Sequence, residues 1–131
     1  MKKIFKYILI CAIVATAFQA TADCRTAQDK TTLRKKVFFQ KGRTTAILKN
    51  TIRRGTNHHY LLRANEGQTM ILHLAAKQSG LTVYKPNEGE AIEDADGVTD
   101  WTGTLPESGE YTIEVATDAK AMPYTLEVTI R

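Results

Sequence analysis

The stretch YLLRANEGQTMILHL, residues 60–74, decides the fold. Tyr60, Leu62 and Ala64 alternate with Leu61 and Arg63. Asn65-Glu66-Gly67-Gln68 then breaks the run, and Met70, Leu72 and Leu74 alternate again. A period of two gives each strand one face for a core and one for water, whereas a helix would repeat every three to four residues. The same period runs outward in both directions. Upstream, Val37 and Phe39 precede Lys41-Gly42, and Ala46, Leu48 and Ile52 share a face. Downstream come Leu81 and Val83 before Lys85-Pro86, a short run holding Trp101, then Tyr111, Ile113 and Val115. Tyr124, Leu126, Val128 and Ile130 close the chain. Gly, Asn and Pro mark most of the breaks. About eight one-faced strands without a helical period predict an all-β fold, a single antiparallel β-sandwich, jelly-roll-like, whose two sheets cover each other. Pairing Ala64 with Met70 across the turn, as in a hairpin, sets His73 opposite Leu61 on the outer face and diagonal to His59.

The chain has 131 residues, enough for one domain and too few for two. With 43% hydrophobic and 24% charged residues it is neither disordered nor collagen-like. Residues 1–22 read as an export signal. Lys2, Lys3 and Lys6 open it, Tyr7 to Ala17 form the apolar run, and Ala20-Thr21-Ala22 supply the small residues before cleavage. The apolar run is too short to span a bilayer comfortably, so no membrane span is expected. Residues 23–33 then read as a tail and 34–131 as the sandwich domain, periplasmic or secreted. Cys11 leaves with the signal. Cys24 remains as a single thiol on the tail, where a free thiol, pairing between two chains and lipidation are the three fates open to it.

Charge is unevenly spread. Eleven Lys/Arg and two acids lie between Asp23 and Asn65, but four Lys/Arg and 12 acids between Glu66 and Arg131. Sequential strands of an antiparallel domain interleave, so the expectation is that the two signs mix on the surface. The alternative is a dipolar protein able to steer a charged partner. Without its signal the chain is close to neutral, which is no footprint for nucleic acid.

Catalysis is poorly supported. Ser79 and Ser108 each precede a glycine in a turn, which is the wrong context for a nucleophile elbow, and Cys24 has no base placed near it. His58 and His59 are adjacent on a strand and point to opposite faces, so they share no ion easily, and the diagonal pair His59 and His73 lacks the third protein ligand that zinc needs. Residues 86–100 form a long acidic loop holding Glu88, Glu90, Glu93, Asp94, Asp96 and Asp100, which is either functional or mobile. Asp94-Ala95-Asp96-Gly97 fails as an EF-hand, because Ile92 falls where the first Asp must stand, leaving irregular calcium binding against a solvated loop. No cofactor is expected. Trp101, Phe38 and Tyr84 are candidates for a sugar-stacking platform, with core packing the competing role for the tryptophan.

Val37-Phe38-Phe39-Gln40-Lys41-Gly42, Tyr60-Leu61-Leu62-Arg63-Ala64 and Gly67-Gln68-Thr69-Met70 occur in one order. They are followed by Trp101-Thr102-Gly103, Leu105-Pro106-Glu107-Ser108-Gly109-Glu110-Tyr111-Thr112-Ile113 and Tyr124-Thr125-Leu126. This set resembles the bacterial periplasmic inhibitors of g-type lysozyme and, more broadly, secreted pre-peptidase C-terminal-type β-sandwich modules. The resemblance covers nearly all of residues 35–131. It implies a non-enzymatic protein that inserts surface loops into a muramidase cleft, with g-type lysozyme as the protein partner. In that family an Arg-rich loop before the last strand contributes. Here the matching segment, Ala116 to Pro123, is shorter and holds Lys120 as its one cation. The segment Arg53 to Tyr60 matches a second loop. The partner-binding residues the resemblance implies are thus Arg53, Arg54, His58, His59 and Lys120. A generic binding module for carbohydrate or cell-surface material is the alternative.

Overall fold

Residues 32–87 and 89–131 are described by a computed structural model. The export signal, Cys11 and Cys24 lie outside the described residues. Strands form where the sequence alternates: β1 (Leu33–Lys36), β2 (Thr45–Arg53), β3 (His58–Ala64), β4 (Thr69–Ala75), β5 (Ser79–Tyr84), β6 (Asp100–Thr104), β7 (Gly109–Thr117) and β8 (Ala121–Ile130). The first sheet has the order β1-β3-β7-β5 and the second β2-β8-β4-β6. Tyr60, Leu62, Leu81, Val83, Tyr111, Ile113 and Val115 of the first sheet pack against Ile52, Met70, Leu72, Leu126 and Val128 of the second, all at most 2% exposed. Each fully buried side chain of this size contributes about 1.5–3 kcal/mol.

Odd strands make one sheet and even strands the other, so each consecutive pair of strands crosses the core. The hairpin expected at residues 65–68 is therefore an arch. Gly67 N donates to the Leu105 carbonyl and Glu66 N to Ser108 Oγ, tying this turn to the β6–β7 turn. Stacked sheets lie roughly 10 Å apart, within the reach of four extended residues. His73 consequently faces out of the second sheet beside Asp100, and His59 out of the first. The sandwich also contains one parallel pair, β1 with β3, in register Leu33↔His58. Two crossings bring the chain back in its original direction.

The Leu105–Tyr111 segment acts as a lock. Leu105 is buried, and the Tyr111 hydroxyl donates to the Glu107 carbonyl at 2.6 Å, closing the turn four residues upstream. Gly109 is required because a Cβ there would sit 2.5 Å from Pro86 Cβ. Trp101 is core, 7% exposed, with its ring across Gly103. The sugar-stacking platform is thereby overturned: Trp101 points inward from the second sheet, while Phe38 and Tyr84 belong to the first-sheet side.

The acidic loop lines the free edge of β5. Leu81 and Val98 exchange both backbone hydrogen bonds, and Ile92 N donates to the Val83 carbonyl. Among the described residues no three of His, Cys, Asp and Glu gather to hold a metal. The charges mix on the central strands and loops, with Glu110 across from Arg63 and Lys85 paired with Glu90, and separate only at the edges. β1 and β2 are the outermost strands at one side, β5 and β6 at the other. Residues 32–54 hold eight Lys/Arg and no acid, whereas Glu90, Glu93, Asp94, Asp96 and Asp100 stand opposite.

Gly103→Ala should be unusually destructive for so small a change. The new Cβ would lie 2.3 Å from Trp101 Cζ2, so the indole must move. We expect a loss of about 1–3 kcal/mol in urea unfolding, with a shifted tryptophan emission. Unchanged values for both would show that the ring does not rest on this glycine.

Candidate functional site

Three loops meet at one end of the sandwich. Between β2 and β3 the chain turns at Gly55, with Thr56 N and Thr56 Oγ1 both donating to the Arg53 carbonyl, at 3.0 and 2.6 Å. This turn is fastened to the β7–β8 loop: Arg54 Nε donates to the Asp118 carbonyl at 2.7 Å and Arg54 N to the Lys120 carbonyl at 3.3 Å. The β4–β5 loop joins through Thr117 Oγ1, which donates to the Gln78 carbonyl at 2.8 Å. Gln78 holds φ +50°, a left-handed conformation that a non-glycine residue adopts at an energetic cost. Together these loops and the outer face of β5 and β7 form an open cleft of about 770 Å³, lined by Arg54, Gln78, Ser79, Thr82, Asp118 and Lys120 among others.

Of the five residues singled out from sequence, Arg54 and Lys120 come together at this cleft. Arg53 is exposed beside them, paired with Ala121 at the start of β8. His59 faces out of the first sheet, half-buried, with Nε2 2.8 Å from Glu114 Oε2. His58 is overturned as a surface residue. It shares the strand parity of Tyr60 and Leu62, is 7% exposed, and lies in the core. Its Nδ1 is 2.7 Å from the Tyr124 hydroxyl, which is 2.5 Å from the Tyr60 hydroxyl. With the imidazole proton on Nε2, Tyr60 donates to Tyr124 and Tyr124 donates to Nδ1. Burial holds the His58 pKa below its ordinary value, and burial with the Tyr60 contact pushes the Tyr124 hydroxyl up. His73, on the opposite sheet, is exposed and raised by its hydrogen bond to Asp100.

Gln78 and Asp118 are cleft residues that sequence reasoning missed. Asp118 contributes its backbone carbonyl to Arg54, and Gln78 has no motif. Only their contacts across the fold reveal them.

An all-β sandwich with cationic loops tied together at one end defines a class of protein that presents loops from a rigid scaffold. The structure is similar to a crystal structure of the Aeromonas hydrophila PliG, a periplasmic lysozyme inhibitor of g-type lysozyme. The TM-score is 0.68 and the identity 32%, over 76% of this chain and 97% of that one. The chain belongs to this family of periplasmic inhibitors of g-type lysozyme. The fold is shared with the Salmonella Typhimurium inhibitor, at TM-score 0.64 and 22% identity over 76% of this chain and 98% of that one. It is shared also with a mutant of the Escherichia coli inhibitor, at TM-score 0.63 and 19% identity over 75% and 97% of the two chains. No protein-family model and no curated protein sequence matches the chain.

The buried imidazole makes stability depend on pH. Because the folded state holds the His58 pKa below the ordinary 6.5, the unfolded chain takes the proton first. The His58 contribution to stability is full above about pH 6.5 and falls as the pH drops below it. His73 acts in the opposite sense: its raised pKa contributes below 6.5 and is lost as pH rises through the raised value. We expect His58→Gln, which keeps an acceptor for Tyr124, to flatten the loss between about pH 6.5 and 5 in urea titrations. An equally steep loss in the variant would place the sensitivity elsewhere.

Proposed function

We propose that this chain is a periplasmic, non-enzymatic inhibitor of g-type lysozyme, and that it seats the joined β2–β3 and β7–β8 loops in the enzyme's substrate cleft. The observation that carries this reading is the Arg54–Asp118 contact. It holds two loops 64 residues apart as one cationic projection of Arg53, Arg54 and Lys120. A muramidase cleft carries acidic catalytic groups, and cations that lose water against them form charge-assisted hydrogen bonds. Preformed loops reduce the ordering cost of entry. His58 takes no direct part because it is buried, and His59 stands at the flank, paired with Glu114.

The test is a cell-wall lysis assay with g-type lysozyme, and c-type lysozyme as control. Arg53→Ala combined with Arg54→Ala should raise the half-inhibitory concentration at least about tenfold, the consequence of losing some 1.4 kcal/mol or more of contact. Thermal stability should hardly change, since both side chains are exposed. Inhibition that survives the double substitution intact would remove this loop from the interface.

A further inference from the structure

The end of the sandwich opposite the inhibitory loops carries a second surface that the proposed activity does not use. After β1 the chain continues through Val37, whose N–H donates to the Leu61 carbonyl at 2.9 Å, and turns at Lys41-Gly42 with Arg43 N bonded to the Gln40 carbonyl. Val37 is buried and Phe39 packs against the core, which fixes the alternate residue, Phe38, outward at 77% exposure. It is the most exposed large apolar side chain among the described residues. Residues 40–44 are all exposed, and around Gly42 nothing lies within 4 Å of where a Cβ would sit, so this turn is a free convex tip.

Cations surround that knob. Lys36, Lys41 and Arg43 flank Phe38 in sequence. Among the described residues none of these three makes an ion pair or a side-chain hydrogen bond. The acids at this end include Glu66 and Glu107, on two turns joined to each other through Glu66 N and Ser108 Oγ, and Glu110, across from Arg63 of β3. β2 separates this tip from Arg53 by its nine residues, roughly 30 Å at 3.4 Å per residue.

We propose that this tip binds the surface of an anionic phospholipid bilayer, with Phe38 entering the headgroup boundary and Lys36, Lys41 and Arg43 meeting lipid phosphates. A bilayer fits better than a protein. A protein interface needs about 800 Å² of complementary surface on each side, which a five-residue convex turn cannot supply. An interfacial contact needs only an aromatic side chain at the boundary and diffuse positive charge, with each cation near the surface strengthening binding about fivefold. Docked this way, the protein would hold its inhibitory loops away from the membrane, towards the cell wall.

The experiment uses protein purified from the periplasm of an expressing host and co-sedimentation with vesicles of phosphatidylethanolamine containing 30% phosphatidylglycerol. Vesicles of phosphatidylcholine alone are the control. We expect binding to the anionic vesicles that weakens with added salt. Phe38→Ser should weaken it several-fold, and Lys41→Glu with Arg43→Glu about 25-fold or more. Unchanged melting temperatures would show that the variants are folded, and lysozyme inhibition by them should match the parent. Failure of the parent to sediment with anionic vesicles at low salt would overturn the proposal, leaving the cations as protection of an open strand edge. So would binding that ignores both variants. Loss of lysozyme inhibition in the Arg53/Arg54 variant together with retained vesicle binding would separate the two surfaces.

Discussion

Because each connection between consecutive strands crosses from one sheet to the other, no strand hydrogen-bonds to its neighbour in sequence. The two ladders can be laid down only together, and each arch carries the chain over the core that its own strands line. The sheets are therefore held by apolar contact and also by covalent continuity at both ends. The contacts that define the fold join residues far apart in sequence, which is the topology of a slow-folding, cooperative domain. The arrangement gathers all connections at two ends of the sandwich, and with them the loops available for binding.

Inside that frame one polar chain sets the loop geometry. Tyr60 and His58 come from β3, Tyr124 from β8, so their hydrogen bonds run between the sheets. Leaving any of the three groups unpaired in the core would cost about 1–3 kcal/mol, which fixes the longitudinal position of β3 against β8. His58 is the first residue after the β2–β3 turn, and Tyr124 follows the β7–β8 loop by four residues. The register that satisfies the hydroxyls also places Arg54 within reach of the Asp118 carbonyl. The buried chain thus positions the exposed cations without touching any partner.

Strand positions were legible because burial on one face leaves a period of two, and sheet membership was not. A hairpin and an arch both turn apolar residues towards one core, so the alternation on either side of Asn65–Gln68 is the same for both. Turn chemistry offered a weak hint: the segment lacks a two-residue Asn-Gly connection of the kind that favours hairpins. The fate of the adjacent histidines was readable, since His58 is in phase with Tyr60, Leu62 and Ala64, which needed the core face. The family likeness rested on residues with structural duties, such as Tyr111 closing its turn and Gly109 admitting Pro86. It carried the fold and the family together. The cleft itself was invisible, because Arg54, Gln78 and Asp118 meet only after three separate arches have closed.

The separation of charge follows from the same topology and answers a hazard of sheet proteins. An open sheet has two edges, and an exposed edge offers unpaired N–H and C=O groups to other chains. The first sheet protects its edges by different physics. At β5 the segment from Ala91 to Val98 lies along the strand and takes up its backbone groups. At β1 there is no covering segment among the described residues, and Arg34, Lys35 and Lys36 stand there instead, so that a like strand approaching edge-on meets its own charge. Eight cations without an acid between residues 32 and 54 repel one another, but on edge strands and loops in water this repulsion is screened within about 10 Å. Buried in a mixed surface they would pair and lose their field. Spread along one flank they keep their field, so the charge that protects the edge is also the charge an anionic partner would meet.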